Sequence, residues 1–92
     1  MALTFAEAKV LATLHRSDKA LAMRELRARA GLSDHGARSA MRELICRGLA
    51  SSTDKIPAYY RPTDRGRSVV QQSVYREFLA PPSLTTTSVE GR

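Results

Sequence analysis

Residues Leu21 to Arg67 read LAMRELRARAGLSDHGARSAMRELICRGLASSTDKIPAYYRPTDRGR. The stretch divides at Gly31 and Gly48. Before Gly31, Met23, Leu26 and Ala30 recur at helical spacing, which predicts a short helix from about Met23 to Ala30 with Arg24, Arg27 and Arg29 pointing outward. Ala22 stands where a Ser or Thr cap is expected. Gly31 ends this helix as a residue free to take positive φ, and Leu32 anchors the turn. Ser33 then caps a second helix, with Asp34 in the first turn where negative charge suits the helix dipole. Ala37, Met41 and Leu44 define its buried face, Ala40 and Ile45 flank that face, and Gly48 stops the helix with Leu49 packing back.

A helix pair joined by a Gly turn is the helix-turn-helix pattern, whose second helix can enter the DNA major groove. The residues after Gly48 predict a wing. Leu49 to Thr53 reads as one strand, Ala58 to Pro62 as its partner, and Asp54 to Pro57 as the tip. Period-two alternation puts Tyr60 and Pro62 on one face, Tyr59 and Arg61 on the other.

Working outward, Thr4 and Glu7 form a capping box for an N-terminal helix that runs to about His15, with Leu3 placed to staple onto Ala8. Val10, Leu11 and Leu14 form its apolar face and Ala6 lies below them. Leu21 enters the core from a very short extended segment. Thr63 and Asp64 open a C-terminal helix, with Val70, Val74 and Phe78 as a stripe at intervals of four that Val69 and Leu79 widen. Pro81 and Pro82 stop it. The expected fold is mainly α with a small β-hairpin: a three-helix core, a two-stranded wing and a C-terminal helix. Residues 1–80 form the domain, and the Ser/Thr-rich residues 81–92 form a disordered tail.

At 92 residues the chain has room for one small core, marginal alone, so a dimer is reasonable. With no Trp, two Phe and three Tyr, that core must be mainly Leu, Val, Ala and Met. Fifteen basic against nine acidic residues leave a net charge of +6, which favours a polyanionic partner such as nucleic acid. Cys46 is the single cysteine, so no internal disulfide forms and a reducing interior fits. No apolar run approaches the ~20 residues of a membrane span, and Met-Ala-Leu-Thr-Phe is not a secretion signal. A cytoplasmic, nucleoid-associated location is expected. No nucleophile–base set, phosphate loop or metal motif is visible, so neither an enzyme nor a cofactor is expected.

If Ala37, Met41 and Leu44 face inward, then His35, Arg38, Ser39 and Arg42 share the outer face. Arg reads guanine bidentately in the major groove, and Ser or His can contact bases or phosphates. These four are the candidate base readers, Arg38 foremost, with Gly36 allowing close backbone approach. Candidate phosphate contacts are Ser33, Arg24 and Arg27, then Lys55, Tyr59 and Arg61 on the wing, and Arg65 and Arg67 beyond it. Val70, Val74 and Phe78 are the candidate dimer interface.

The ordered set Leu3-Thr4-x-x-Glu7-Ala8-x-Val10-Leu11, Arg24-Glu25-Leu26, Gly31-Leu32-Ser33, Arg42-Glu43-Leu44 with Gly48-Leu49, and Tyr60-Arg61-Pro62-Thr63-Asp64-x-Gly66-Arg67 resembles the winged helix-turn-helix domain of MarR-type transcription regulators, with PadR and ArsR relatives close behind. The resemblance covers residues 3–79. It implies a homodimer on double-stranded DNA, with the recognition helix in the major groove and the wing on the backbone or minor groove. Ala22 lacks the cap, Pro62 stands where Leu is usual, and the chain is short beside MarR proteins, which add helices at their ends for dimerisation, so the dimer mode and any ligand pocket do not carry over. The expected role is a transcriptional repressor. A winged-helix protein-interaction module, or a DNA-binding module for plasmid or phage segregation or DNA transfer, remain the alternatives.

Overall fold

Thr4 opens helix α1 (Phe5–Arg16) with a reciprocal cap. Its hydroxyl accepts from Glu7 N at 3.1 Å, and Glu7 Oε1 accepts from Thr4 N at 3.1 Å. Such a cap contributes about 1 kcal/mol. Ala8, Val10, Leu11, Ala12 and Leu14 are all buried, so α1 is covered on more than one side. Thr13 shares that burial because its hydroxyl donates to Lys9 O at 2.7 Å. The structure, a computed structural model, describes residues 2–79; the side chains of Ser73 and Val74 and the predicted tail 81–92 lie outside the described part.

Strand β1 (Leu21–Ala22) leads into helix α2 (Met23–Ala30). Ala22 offers no side-chain cap, but Glu25 Oε1 reaches back and accepts from Ala22 N at 3.3 Å, supplying the carboxylate half of a capping box. Gly31 takes φ 68°, and both Gly31 N and Leu32 N donate to Arg27 O. Ser33 caps helix α3 (Asp34–Cys46), accepting from Gly36 N at 3.1 Å. After α3, Gly48 at φ 75° lets Leu49 N return to Leu44 O at 2.8 Å. Both turns stand where the sequence predicts them, because each depends on local backbone geometry.

The wing strands are β2 (Ala50–Ser52) and β3 (Tyr59–Pro62), shorter than predicted. Leu49 belongs to the α3 stop, while Thr53 closes the tip by donating to Tyr59 O at 3.0 Å and accepting from Tyr59 N at 3.1 Å. Tyr59 and Arg61 are exposed and Pro62 is buried, as the alternation predicts. The sheet itself has three strands in the order β1-β3-β2, all antiparallel, with Leu21 opposite Tyr60 and Ala50 opposite Pro62. A two-residue strand carries no readable period, so sequence shows β1 only as a short extended segment. Pro62 fits this sheet. Tyr59 and Thr63 bond toward β2, so by alternation the Pro62 nitrogen faces the other way, past the end of β1.

Thr63 caps helix α4 (Asp64–Val70): its hydroxyl accepts from Gly66 N at 3.0 Å and donates to Gly48 O at 2.7 Å. The predicted single C-terminal helix is not what forms. α4 ends at Val70, Gln72 is extended at φ −64° and ψ 147°, and a 3₁₀ helix then spans Ser73–Phe78. Docking on α1 explains the break. Tyr75 turns into the core and its hydroxyl accepts from Leu3 N at 2.9 Å, while Arg16 Nη1 donates to Phe78 O at 2.8 Å. The dimer stripe is therefore not continuous. Val70 is fully buried in the protein's own core and Phe78 lies half-buried with its ring edge-on to Phe5; the Val74 side chain lies outside the described part. The remaining core is Leu, Val, Ala and Met, joined by Tyr75.

Candidate nucleic-acid interface

The site begins with the way α3 is held. Ala37, Ala40, Met41 and Leu44 are buried, and α3 rests on α1, α2 and β2. That anchoring turns the opposite face outward. His35, Arg38, Ser39 and Arg42 are all exposed, and together with Asp34 they line one shallow surface depression. The four candidate base readers therefore share one surface. On one side of it, His35 and Ser39 border a groove toward Thr4 and Glu7 of α1. On the other, Arg38 and Arg42 border a groove that reaches Met23, Cys46 and Tyr60. Gly36 lies on the α1 side and is partly buried, away from the centre of the basic face.

Electrostatics on this face centre on Asp34. Arg38 Nε donates to Asp34 Oδ1 at 2.9 Å and to Oδ2 at 3.1 Å. Arg27, from α2, brings Nη1 to 3.6 Å from Oδ1, and its buried Nε has no hydrogen-bond partner among the described residues. Sequence alone presents Asp34 as a helix-dipole charge. Its spacing of four from Arg38 is legible there, but its link to Arg27 crosses the turn and is not.

The other candidate contacts are spread around this face. Ser33 uses its hydroxyl as the cap of α3 and is otherwise exposed. Arg24 is exposed on α2. Lys55, Tyr59 and Arg61 are exposed on the wing. Arg65 and Arg67 are exposed on α4, which packs on α1 and β3. Ile56, in sequence simply part of the tip, stands 99% exposed beside Lys55. Arg47, not singled out from sequence, ties three segments together: it donates to Glu43 Oε2 at 3.0 Å and to Ala2 O at 3.1 Å, and it lies 3.8 Å from the buried Glu7.

Cys46 is an exposed free thiol. Among the described residues, no group of three or more His, Cys, Asp and Glu side chains forms a metal cluster, and no helix is long and apolar enough to cross a membrane.

No family model and no curated protein matches the chain. Solved structures do. A MarR family transcriptional regulator from Silicibacter pomeroyi superposes with a TM-score of 0.69 at 21% identity, over 95% of this chain and 60% of that one. BpsR of Bordetella bronchiseptica, whose DNA binding is regulated by 6-hydroxynicotinic acid, gives 0.75 at 21% identity, over 96% of this chain and 70% of its own. A point mutant of Lactococcus lactis ZitR gives 0.74 at 18% identity, over 99% of this chain and 62% of its own. The chain thus spans between 60% and 70% of the length of these structures. The likeness takes in nearly the whole of this chain, which accordingly has the winged-helix fold of MarR-type regulators: mainly helical, with a small antiparallel sheet.

Proposed function

We propose that the chain is a sequence-specific double-stranded DNA-binding protein, a transcriptional repressor that acts as a homodimer. The observation that carries this reading is the outer face of α3, where His35, Arg38, Ser39 and Arg42 stand exposed on a helix that buries Ala37, Ala40, Met41 and Leu44 on its other side. In this reading α3 enters the major groove and Arg38 reads a base edge. Lys55, Tyr59 and Arg61 of the wing meet the backbone or minor groove, and Ser33, Arg24, Arg27, Arg65 and Arg67 supply further phosphate contacts. A two-fold pair would set two copies of α3 about 34–36 Å apart on a pseudo-palindrome. The dimer contact belongs on the Phe78 side, where Phe5 is 66% exposed. The protein works without a cofactor or catalysis, in the cytoplasm and on the nucleoid.

Titration of duplex binding against salt tests this. Affinity should fall along a straight log–log line, because neutralised phosphates release counterions. Absence of binding to any duplex at low salt would refute the proposal. Arg38→Ala is expected to cost about 1–3 kcal/mol and to relax preference at one base position. Binding-site selection with wild type and variant checks it, and equal preference would remove Arg38 as reader. Lys55→Ala should weaken all sequences alike and lower the salt slope by about one. A sequence-dependent loss in that variant would assign Lys55 to a base instead.

A further inference from the structure

We infer that Asp34 is a specificity-determining positioning residue of this interface: its carboxylate grips the Arg38 guanidinium side-on and aims the free end at a base. The inference rests on the DNA-binding reading above. Arg38 meets both Asp34 oxygens through Nε alone, at 2.9 and 3.1 Å. That contact leaves Nη1 and Nη2 outside it, and a guanidinium reads guanine O6 and N7 with a pair of donors.

Position along the helix strengthens the case. Asp34 lies one turn before Arg38, so the contact draws the guanidinium toward the start of α3. Base edges are met at that end of a recognition helix. Asp34 Oδ1 is also shared with Arg27 at 3.6 Å, so one carboxylate restrains arginines from both helices of the pair.

Stability does not account for the arrangement. The Asp34, Arg38 and Arg27 side chains are 51%, 58% and 40% exposed, and ion pairs in such positions add little to folding. Discrimination accounts for it better. A free Arg38 could settle on any phosphate, whatever the sequence. A carboxylate beside it repels the backbone and holds the side chain where only a base with paired acceptors rewards it. Asp34 therefore weakens binding to all DNA and weakens it least at the correct site.

The test uses the full chain as wild type, Asp34→Asn, Arg38→Ala and the double variant, with site selection from random duplex and competition binding at one salt concentration. Asp34→Asn should bind random duplex several-fold tighter and discriminate about tenfold less at a single base position. In the Arg38→Ala background the same substitution should leave base preference unchanged. A purely structural charge at the helix start would lower thermal stability in both backgrounds and leave preference intact, which would overturn the inference. If wild type selects a site and Asp34→Asn keeps its full discrimination, the inference fails while the DNA-binding reading stands. If wild type binds no duplex, both fail.

Discussion

Gly66→Ala is expected to destabilise the protein by about 3 kcal/mol, at the upper end of what overpacking costs. On an ordinary helix the same substitution would stabilise by roughly 0.5–1 kcal/mol, because Ala is the better helix former. Here the sign reverses. A Cβ on Gly66 would overlap the Leu49 carbonyl oxygen, come within 3.0 Å of its carbon and lie 3.2 Å from Leu11 Cδ1. The carbonyl cannot step aside freely. It accepts from Thr63 N at 3.1 Å, and Thr63 also holds Gly48 O through its hydroxyl. Moving it would loosen the α3 stop, the end of the wing and the cap of α4 together. Denaturant midpoints at unchanged m would measure the loss. A variant as stable as wild type would mean that α4 does not press on Leu49.

Leu44→Ala is expected to cost about 2–5 kcal/mol, the usual range for a buried leucine that leaves a cavity. Leu44 is fully buried, and its carbonyl also receives Leu49 N at 2.8 Å. Small domains have roughly 5–15 kcal/mol in all, so duplex affinity should fall with the folded fraction on mild warming. The neighbouring Ile45 provides the comparison. It is 38% exposed, and Ile45→Ala should cost well under half as much. Equal losses for the two variants would rotate α3 about its axis. The face bearing Arg38 and Arg42 would then no longer be the outer one, and the DNA-binding reading would lose its support.

Both effects depend on how α3 is seated, and much of that seating is written locally. Thr4 with Glu7, Ser33 and Thr63 announce three helix starts, since a cap needs only the residues within one turn of it. Gly31 and Gly48 announce two helix ends for the same reason. The repeat of Ala37, Met41 and Leu44 picks the buried side of α3, and so fixes the outward side by elimination. Alternation along β3 sorts Tyr59 from Tyr60. These are short-range regularities, and one chain displays them without any fold in view.

Three features lie beyond such reading. Strand β1 exists because Leu21 meets Tyr60 across the sheet, and two residues show no period of their own. The C-terminal segment turns after Val70 because Tyr75 reaches Leu3 and Phe78 meets Arg16, contacts 72 and 62 positions apart. The spacing of Val70, Val74 and Phe78 points instead to one unbroken helix. Asp34 bridges two arginines only because the turn at Gly31 folds α2 against α3. Local sequence alone determined where the helices begin, where they stop and which side of α3 is apolar, since those depend on backbone dihedrals and side-chain period within a few residues. Only tertiary packing decided the third strand, the path after α4 and the link from Asp34 across the turn to Arg27, since each needs partners that the chain brings together after it has folded.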